Sequence, residues 1–452
     1  MLEDWSGRSV VVLGLARSGV AVSKLLHRLG ADVTVNDQKP RTESPEAALL
    51  ESCGIKVICG GHPDDLVVNG VDLVVKNPGI PYHVPPVQEA VRLGIPVVTE
   101  VEVAYQVTSS PIIGITGSNG KTTTTSLVGN ILKNGSVPSK VAGNIGTALT
   151  EVVQNLSPDD WLIAELSSFQ LKGVKQFRTR IGALLNVVPA HLDFHGSMED
   201  YIHSKVNLFR NQTRSDVAVL NWDSPVCREV SEHVRGTILW FSRQESLEQG
   251  VFIRDGWVVA RLPESQEERI LATSSISLPG VHVENALAAT AIALAAGCPL
   301  AAIREELQTF TGVEHRLEYV QSVDGVRYYN DSKATNAKAA LSALESFDEP
   351  VVLIAGGLDR GADFKELVPA FSTRLKGIVA YGQAADTLLN RAKEAGVKHC
   401  IKEEEVTRAV QAARRIAETG DVVLLSPACA SWDRYTSFEE RGSIFKQAVH
   451  SL

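Results

Sequence analysis

Residues Gly117-Ser118-Asn119-Gly120-Lys121-Thr122-Thr123 join an apolar run, Pro111-Ile112-Ile113-Gly114-Ile115, to a stretch that reads as helix from near Thr124. A strand, a glycine turn and a helix in that order open a unit of a parallel sheet flanked by helices. The turn bares backbone N–H groups, and the helix N-terminus adds the positive end of its dipole. Lys121 brings a point charge for terminal phosphates, and the Thr122 hydroxyl suits Mg²⁺. The spacing is a shorter variant of the general phosphate loop, which asks for Gly where Ile115 stands. A tight turn that needs left-handed glycines is the alternative reading. The combination of strand, loop and helix predicts nucleoside triphosphate binding.

At 452 residues the chain has room for about three domains of ordinary size. Its apolar share of 44% supports packed cores and excludes wholesale disorder. A net charge of −9 without long basic runs argues against nucleic acid as a partner. The six cysteines form no CxxC pair and no zinc spacing, which fits a reducing compartment. The start, Met1-Leu2-Glu3-Asp4-Trp5, lacks the basic and apolar regions of a signal peptide. The run Ala286 to Ala296 is too short to span a bilayer and suits a buried helix. The expectation is a cytoplasmic protein with no membrane insertion.

Strand–helix alternation restarts three times. The first block opens with Ser9–Gly14, a helical run to Leu29 and the strand Asp32–Asp37, with further strands at Val57–Cys59, Leu73–Val75 and Val97–Thr99. The second carries the phosphate loop, strands at Trp161–Leu166 and Ile181–Val188, and a β-rich stretch from Gly236 to Leu278. The third shows strands at Val326–Asn330, Val351–Ala355, Ile378–Tyr381 and Val422–Ser426. The fold class expected is α/β in three domains. Residues 1–100 form a Rossmann-like domain, 101–312 a central P-loop ATPase-type domain with a β-rich portion, and 313–452 a second Rossmann-like domain.

Gly14-Leu15-Ala16-Arg17-Ser18-Gly19 is like a dinucleotide turn, with Asp37 closing the second strand. Ala16 stands where the second glycine of that motif lets backbone approach a pyrophosphate, so a dehydrogenase is disfavoured. A nucleotide or nucleotide-sugar diphosphate, or a purely structural turn, remain as readings. In the second block Glu165 ends the strand Trp161–Glu165, and His191 follows another strand. Each alone fits a surface or loop residue. Together, beside a phosphate loop, they are metal candidates.

The second-block signatures Gly117–Thr123, Gly143-Asn144-Ile145-Gly146, Glu165-Leu166-Ser167-Ser168-Phe169-Gln170-Leu171 and His191-Leu192-Asp193 resemble the Mur ligase family. In the third block Phe310–Arg316, Asp331-Ser332-Lys333-Ala334-Thr335-Asn336 and Leu425–Asp433 agree with it. The resemblance covers all three blocks, and the Glu165 and Asp331 signatures point to the branch that adds D-glutamate. It implies an ATP-dependent ligase of peptidoglycan precursor synthesis that activates the carboxylate of UDP-N-acetylmuramoyl-L-alanine as an acyl phosphate. The implied partners are that acceptor, D-glutamate and ATP, with Mg²⁺ at two sites and a CO₂-derived carbamate on Lys205. A monomer is expected.

Residue roles carry over where motifs align. Gly117, Ser118, Asn119, Gly120, Lys121, Thr122, Thr123, Asn285, Arg316 and Asp331 are implied for ATP. Thr122 and Glu165 are implied for the first metal, and His191 and carbamylated Lys205 for the second. Lys121, Glu165, His191 and Lys205 make up the catalytic set. Without the resemblance, Lys205 reads as an exposed helix lysine and Asp331 as a cap or turn residue. Leu15, Ala16, Asp37, Gln38, Lys39, Asn77 and Asn144 are implied for the UDP-linked acceptor, and Lys333, Thr335, Arg360, Ser431 and Phe438 for D-glutamate. Two departures stand out. Gly280-Val281-His282-Val283-Glu284-Asn285 is one Asn short of the family's adenine motif, and Arg360 replaces a lysine found in some members. Sites drawn from three blocks predict closure on ligand binding. The competing readings are a family ligase for another amino acid, a nucleotide-binding protein without turnover, and a dehydrogenase.

Overall fold

Valine-rich runs with no polar alternation demand cover on both faces, and the first block meets that demand with a parallel sheet. The computed structural model describes residues 4–262, 266–277, 283–310 and 312–452. Strands β1 (Ser9–Leu13), β2 (Asp32–Asp37), β3 (Lys56–Cys59), β4 (Leu73–Lys76) and β5 (Val97–Val98) lie in the order β3-β2-β1-β4-β5, all parallel. Val10, Val12, Val33 and Val35 pack on one side, and Val11, Leu13 and Val74 on the other. Strand order reverses between β1 and β4, and such a reversal opens a crevice at the carboxyl ends of the strands.

The second sheet runs β14-β13-β12-β11-β10-β9-β6-β8-β7. Its strands are β6 (Ile112–Thr116), β7 (Ser139–Gly143), β8 (Trp161–Glu165), β9 (Ile181–Leu184), β10 (Val217–Asn221), β11 (Thr237–Ser242), β12 (Gly250–Arg254), β13 (Trp257–Arg261) and β14 (Glu268–Ala272). Pairing is parallel from β7 to β12, and β12, β13 and β14 close as antiparallel hairpins, which accounts for the β-rich stretch read from the sequence. The expected strand Ile181–Val188 stops at Leu184, because the residues beyond it turn to serve the phosphate loop. The expected helix near Thr124 begins at Lys121, since Gly120 in the left-handed region (φ +81°) starts it at once. The alanine-rich run forms the buried helix Val283–Ala295, packed on the helix Lys121–Asn134.

The third sheet comprises β15 (Glu318–Val323), β16 (Val326–Asn330), β17 (Val351–Gly356), β18 (Leu375–Tyr381), β19 (His399–Lys402) and β20 (Val422–Leu425), in the order β15-β16-β20-β17-β18-β19. Only β15 is antiparallel to its neighbour among the described residues. The helices Ala337–Leu344, Val368–Arg374 and Ala385–Glu394 cover one face, and Val406–Ile416 and Phe438–His450 the other. The covering helices change face around β20, so the crevice lies at the carboxyl ends of β16, β20 and β17. The first two sheets belong to one compact unit, in which Leu25 of the first block packs with Val101, Ala104 and Ile112. Ser277 and the described residues from Thr309 to Leu452 belong to the second unit. No described helix is long and apolar enough to cross a membrane.

Candidate active site

The phosphate loop sits at the carboxyl end of β6. A Cβ on Gly120 would stand 2.2 Å from Asn285 Oδ1, so both space and backbone conformation require glycine there. The loop is tied to the segment after β9. The N–H groups of Ser118 and Asn119 donate to Asn186 O and Oδ1 (3.0 Å each). Ser118 Oγ donates to Val188 O (3.0 Å), accepts from the Val188 N–H (3.0 Å), and bonds the Tyr201 hydroxyl (2.9 Å). These bonds commit the Ser118 and Asn119 N–H groups and fix the loop's path, leaving the N–H groups of the helix's first turn to face a ligand.

Two lysine side chains meet at one carbonyl. Lys121 Nζ donates to Gly117 O (2.8 Å) and Ser118 O (3.0 Å), and Lys205 Nζ donates to the same Gly117 O (2.8 Å). Lys205 lies on the buried helix face rather than in solvent, 1% exposed, with its ammonium 4.7 Å from the Tyr201 ring centroid. Burial first, and then the Lys121 charge, push its pKa down to about 6.

Glu165 ends β8, next to β6, and is 1% exposed. Its Oε1 accepts from Asn144 Nδ2 (2.8 Å), and the Asn144 N–H donates to Glu165 O (2.9 Å). Its Oε2 is buried without a hydrogen-bond partner. A carboxylate oxygen orphaned beside a phosphate loop costs free energy unless a cation takes it up. Thr122, in the helix's first turn, is buried as well. His191 has φ +55° and precedes the short helix Leu192–His195, its ring 5.1 Å from Phe169 and 6.4 Å from Tyr201. Among the described residues no cluster of three or more His, Cys, Asp or Glu could hold a metal unaided. The donor set fits Mg²⁺, which takes one or two protein oxygens and fills its remaining positions with phosphate oxygens and water.

Three residues that the sequence reading passed over hold this corner together. His195 Nδ1 bonds Asp200 Oδ2 (2.7 Å), His195 Nε2 bonds Ser168 Oγ (3.0 Å), and Lys172 Nζ bonds Asp200 Oδ2 (2.5 Å). Burial pushes the His195 pKa down despite Asp200, so the neutral ring donates from Nδ1 and accepts from Ser168. Phe169 lies between the rings of His191 and His195. The spacing from His191 to His195 to Asp200 within one short stretch was the available signal.

In the first block Asp37 accepts from the N–H groups of Leu15 (2.7 Å) and Lys39 (2.9 Å), which gathers Leu15, Ala16, Asp37, Gln38 and Lys39 at the ends of β1 and β2. Asn77, at the end of β4, accepts from Ser18 Oγ (2.9 Å) and lies over Gly14. Lys76 was also passed over. It is 1% exposed and donates to Asn77 O (3.3 Å) and Pro78 O (3.0 Å), with the Tyr82 ring 4.7 Å away. Asn285, 8% exposed, lies against Gly120 and Thr124, the Thr124 hydroxyl 3.4 Å from its Oδ1. The preceding part of its motif, residues 280–282, lies outside the described residues.

The second unit gathers its own set. Asp331 and Lys333 follow β16, with Thr335 beyond them; Arg360 follows β17, Ser431 follows β20, and Phe438 opens the last helix. Buried Asp331 accepts from Ser426 Oγ (2.8 Å) and the Leu317 N–H (3.3 Å), and burial pushes its pKa up to about 7. Arg316 is exposed and only partly offsets that rise. The Lys333 ammonium is 5.3 Å from the Phe438 ring. Arg441, fully buried and absent from the sequence reading, donates to Ser332 Oγ (3.0 Å), Ser332 O (2.8 Å) and Cys429 O (3.1 Å). It therefore clamps the loop after β16 to the loop after β20.

Family models match nearly the whole chain: the Mur ligase MurD-like N-terminal domain over residues 8–99, the Mur ligase middle domain over 115–293, and the Mur ligase glutamate ligase domain over 315–429. The UDP-N-acetylmuramoylalanine--D-glutamate ligase of Geobacillus sp. (strain WCH70) is 50% identical over 447 residues, 98% of each chain. The chain belongs to the Mur ligase family. The Bacillus cytotoxicus protein of the same name is 46% identical over 452 residues, 100% of this chain and 99% of that one. Two solved Mur ligases share the fold. MurF from Acinetobacter baumannii has a TM-score of 0.57 at 20% identity, covering 86% of this chain and 92% of its own. The UDP-N-acetylmuramate-alanine ligase MurC of Thermotoga maritima has a TM-score of 0.56 at 18% identity, covering 98% and 99%.

Proposed function

We infer that this Mur ligase is an ATP-dependent amide ligase that adds D-glutamate to UDP-N-acetylmuramoyl-L-alanine in peptidoglycan precursor synthesis. The observation that carries this reading is full-length identity of 46–50% to ligases of that name. The phosphate loop, Glu165, His191 and Lys205 stand at one end of one sheet, which fits the chemistry.

A carboxylate is a poor electrophile, so the acceptor's carboxylate oxygen first takes the γ-phosphoryl group as the bond to ADP breaks. The D-glutamate amine then forms the C–N bond and gives up a proton to solvent, and phosphate leaves with the C–O electrons. The phosphate loop, anchored to Asn186 through its Ser118 and Asn119 N–H groups, would hold the triphosphate through its remaining N–H groups at the helix N-terminus, and Lys121 would turn from Gly117 O towards the phosphate charge. Glu165 and Thr122 would hold one Mg²⁺, and His191 with carbamylated Lys205 a second. When bound, Mg²⁺ would offset the repulsion between the carboxylate and the γ-phosphate. Lys205 is a candidate for the carbamate because a buried, neutral amine can add CO₂ and lose a proton, which turns the amine into a carboxylate-like ligand. Asn144 orients Glu165 and faces the place where the acceptor's reacting end would lie. Asp37, Gln38, Lys39, Leu15, Ala16 and Asn77 would hold the uridine diphosphate portion. Arg316, Asp331 and Asn285 would serve the nucleotide, and Lys333, Thr335, Arg360, Ser431 and Phe438 the D-glutamate.

A coupled ADP-release assay, with acceptor and amino acid omitted in turn, tests the reading. ADP release is expected only when both are present, and Lys121→Ala should reduce it by at least about 100-fold. ADP release without an amino acid, or a preference for L-glutamate on a folate acceptor, would overturn the assignment.

A further inference from the structure

Trp432 is the most exposed large apolar side chain described, 65% exposed, and it belongs to the loop that leaves the carboxyl end of β20, the end at which the third sheet's crevice opens. It directly follows Ser431 in the loop after β20. The Arg360 guanidinium, from the loop after β17, lies 5.0 Å from its ring centroid. Among the described residues this ring is the guanidinium's sole partner, so its five N–H donors are uncommitted.

The two loops are joined beneath that pair. The Gly356 N–H donates to Pro427 O and the Leu358 N–H to Ala430 O (2.9 Å each). A Cβ on Gly357 would stand 2.3 Å from Ala430 O, so the strands' ends approach as closely as glycine allows. Asp359 accepts from the Gly361 N–H (2.8 Å) and forms no ion pair with Arg360 among the described residues. Asp433 Oδ2 accepts from the Gln383 N–H (3.3 Å), its Oδ1 is buried without a hydrogen-bond partner, and the carboxylate forms no ion pair with Arg360 among the described residues. Neither neighbouring carboxylate neutralises the guanidinium. A long, exposed arginine side chain ordinarily loses rotamer entropy when it binds an anion, and a flat aromatic platform reduces that loss by fixing the guanidinium plane beforehand.

We propose that Trp432 is a positioning residue for amino-acid selection: its ring holds the Arg360 guanidinium with the fork presented to a carboxylate of the incoming D-glutamate. This rests on the ligase reading and adds to it a residue that touches the substrate through another. A lysine at position 360 would have no planar fork for the ring to align.

Steady-state ADP release with D-glutamate varied, at saturating ATP and acceptor, tests it. Trp432→Ala should raise the KM for D-glutamate roughly two- to fivefold, the range an exposed cation–π contact supports, while kcat and the KM for the acceptor move little. Trp432→Phe should recover most of the loss. In an Arg360→Ala background, Trp432→Ala should add nothing further, because the ring acts through the guanidinium. An unchanged KM in Trp432→Ala, or losses that add in the double variant, overturns the inference alone. Absence of D-glutamate-dependent ADP release from the unsubstituted chain overturns the ligase reading instead.

Discussion

Two buried lysines show how one side chain's surroundings decide its chemistry. At Lys205 the low pKa serves the carbamate proposal: Lys205→Ala should lose activity by about 10–100-fold or more, with partial rescue by formate or acetate as a substitute carboxylate. Full activity in that variant would remove the carbamate from the mechanism. At Lys76 the cause is burial first and the Lys172 charge second, which bring its pKa to about 7 from an ordinary value of 10.5. The groups facing it are the Asn77 and Pro78 carbonyls, the Lys172 ammonium and Tyr82, whose own pKa burial raises to about 12. Below pH 7 the lysine is protonated in both folded and unfolded chains, and the full cost of burying its charge is present. Between about pH 7 and 10.5 the unfolded chain holds a proton that the folded one has shed, so stability rises with pH by up to about 1.4 kcal/mol per unit. Lys76→Met removes that dependence. Its melting temperature should exceed the parent's most at pH 7 and least near pH 10, and a gap that stays constant across that range would contradict the burial argument. Neither lysine's burial was legible from the sequence, because a lysine beside an apolar run reads equally well as the exposed end of an element.

Elements were easiest to read where burial is two-sided. Strands β1, β4, β6, β17 and β20 are continuous apolar runs, and the sequence located each within a residue or two. The edges were harder: β7, β15 and β19 are half-exposed, so their residues carry no apolar run and little alternation. Candidate site residues on strand ends, such as Glu165, stand out in the sequence because a carboxylate after a buried strand is conspicuous. The clamps, Arg441 and the His195–Asp200 pair, do not, since their meaning lies in partners distant in the chain or hidden by a turn. The glycines of the first turn tie element to site. A Cβ on Gly19 would stand 2.0 Å from Gly14 O, a backbone atom with little room to retreat. Gly19→Ala should lift the helix Arg17–Arg28 from β1, cost about 1–3 kcal/mol in thermal unfolding, and raise the KM for the UDP-linked acceptor. An unaltered melting temperature together with an unaltered KM would show that this turn neither packs closely nor meets the acceptor.

At the scale of the molecule, the first two sheets share a core through Leu25, Val101 and Ala104, whereas the third sheet has two clusters of its own, one on each face. Contacts accordingly divide the chain into two units rather than one unit per sheet. Units with separate cores are expected to melt as separate cooperative transitions. A ligand that binds only the folded form raises the transition of the unit that holds it, by about 2.7 kcal/mol at one hundred times its Kd. The residues assigned to the acceptor all lie in the first unit and those assigned to D-glutamate all lie in the second, so the two ligands should separate in a calorimetric scan. The UDP-linked acceptor should raise one transition and leave the other in place, and D-glutamate should do the reverse. The Gly19→Ala variant marks which transition belongs to the first unit, because its lesion lies there. If D-glutamate instead moves the transition that Gly19→Ala lowers, the amino-acid pocket has been assigned to the wrong half of the chain.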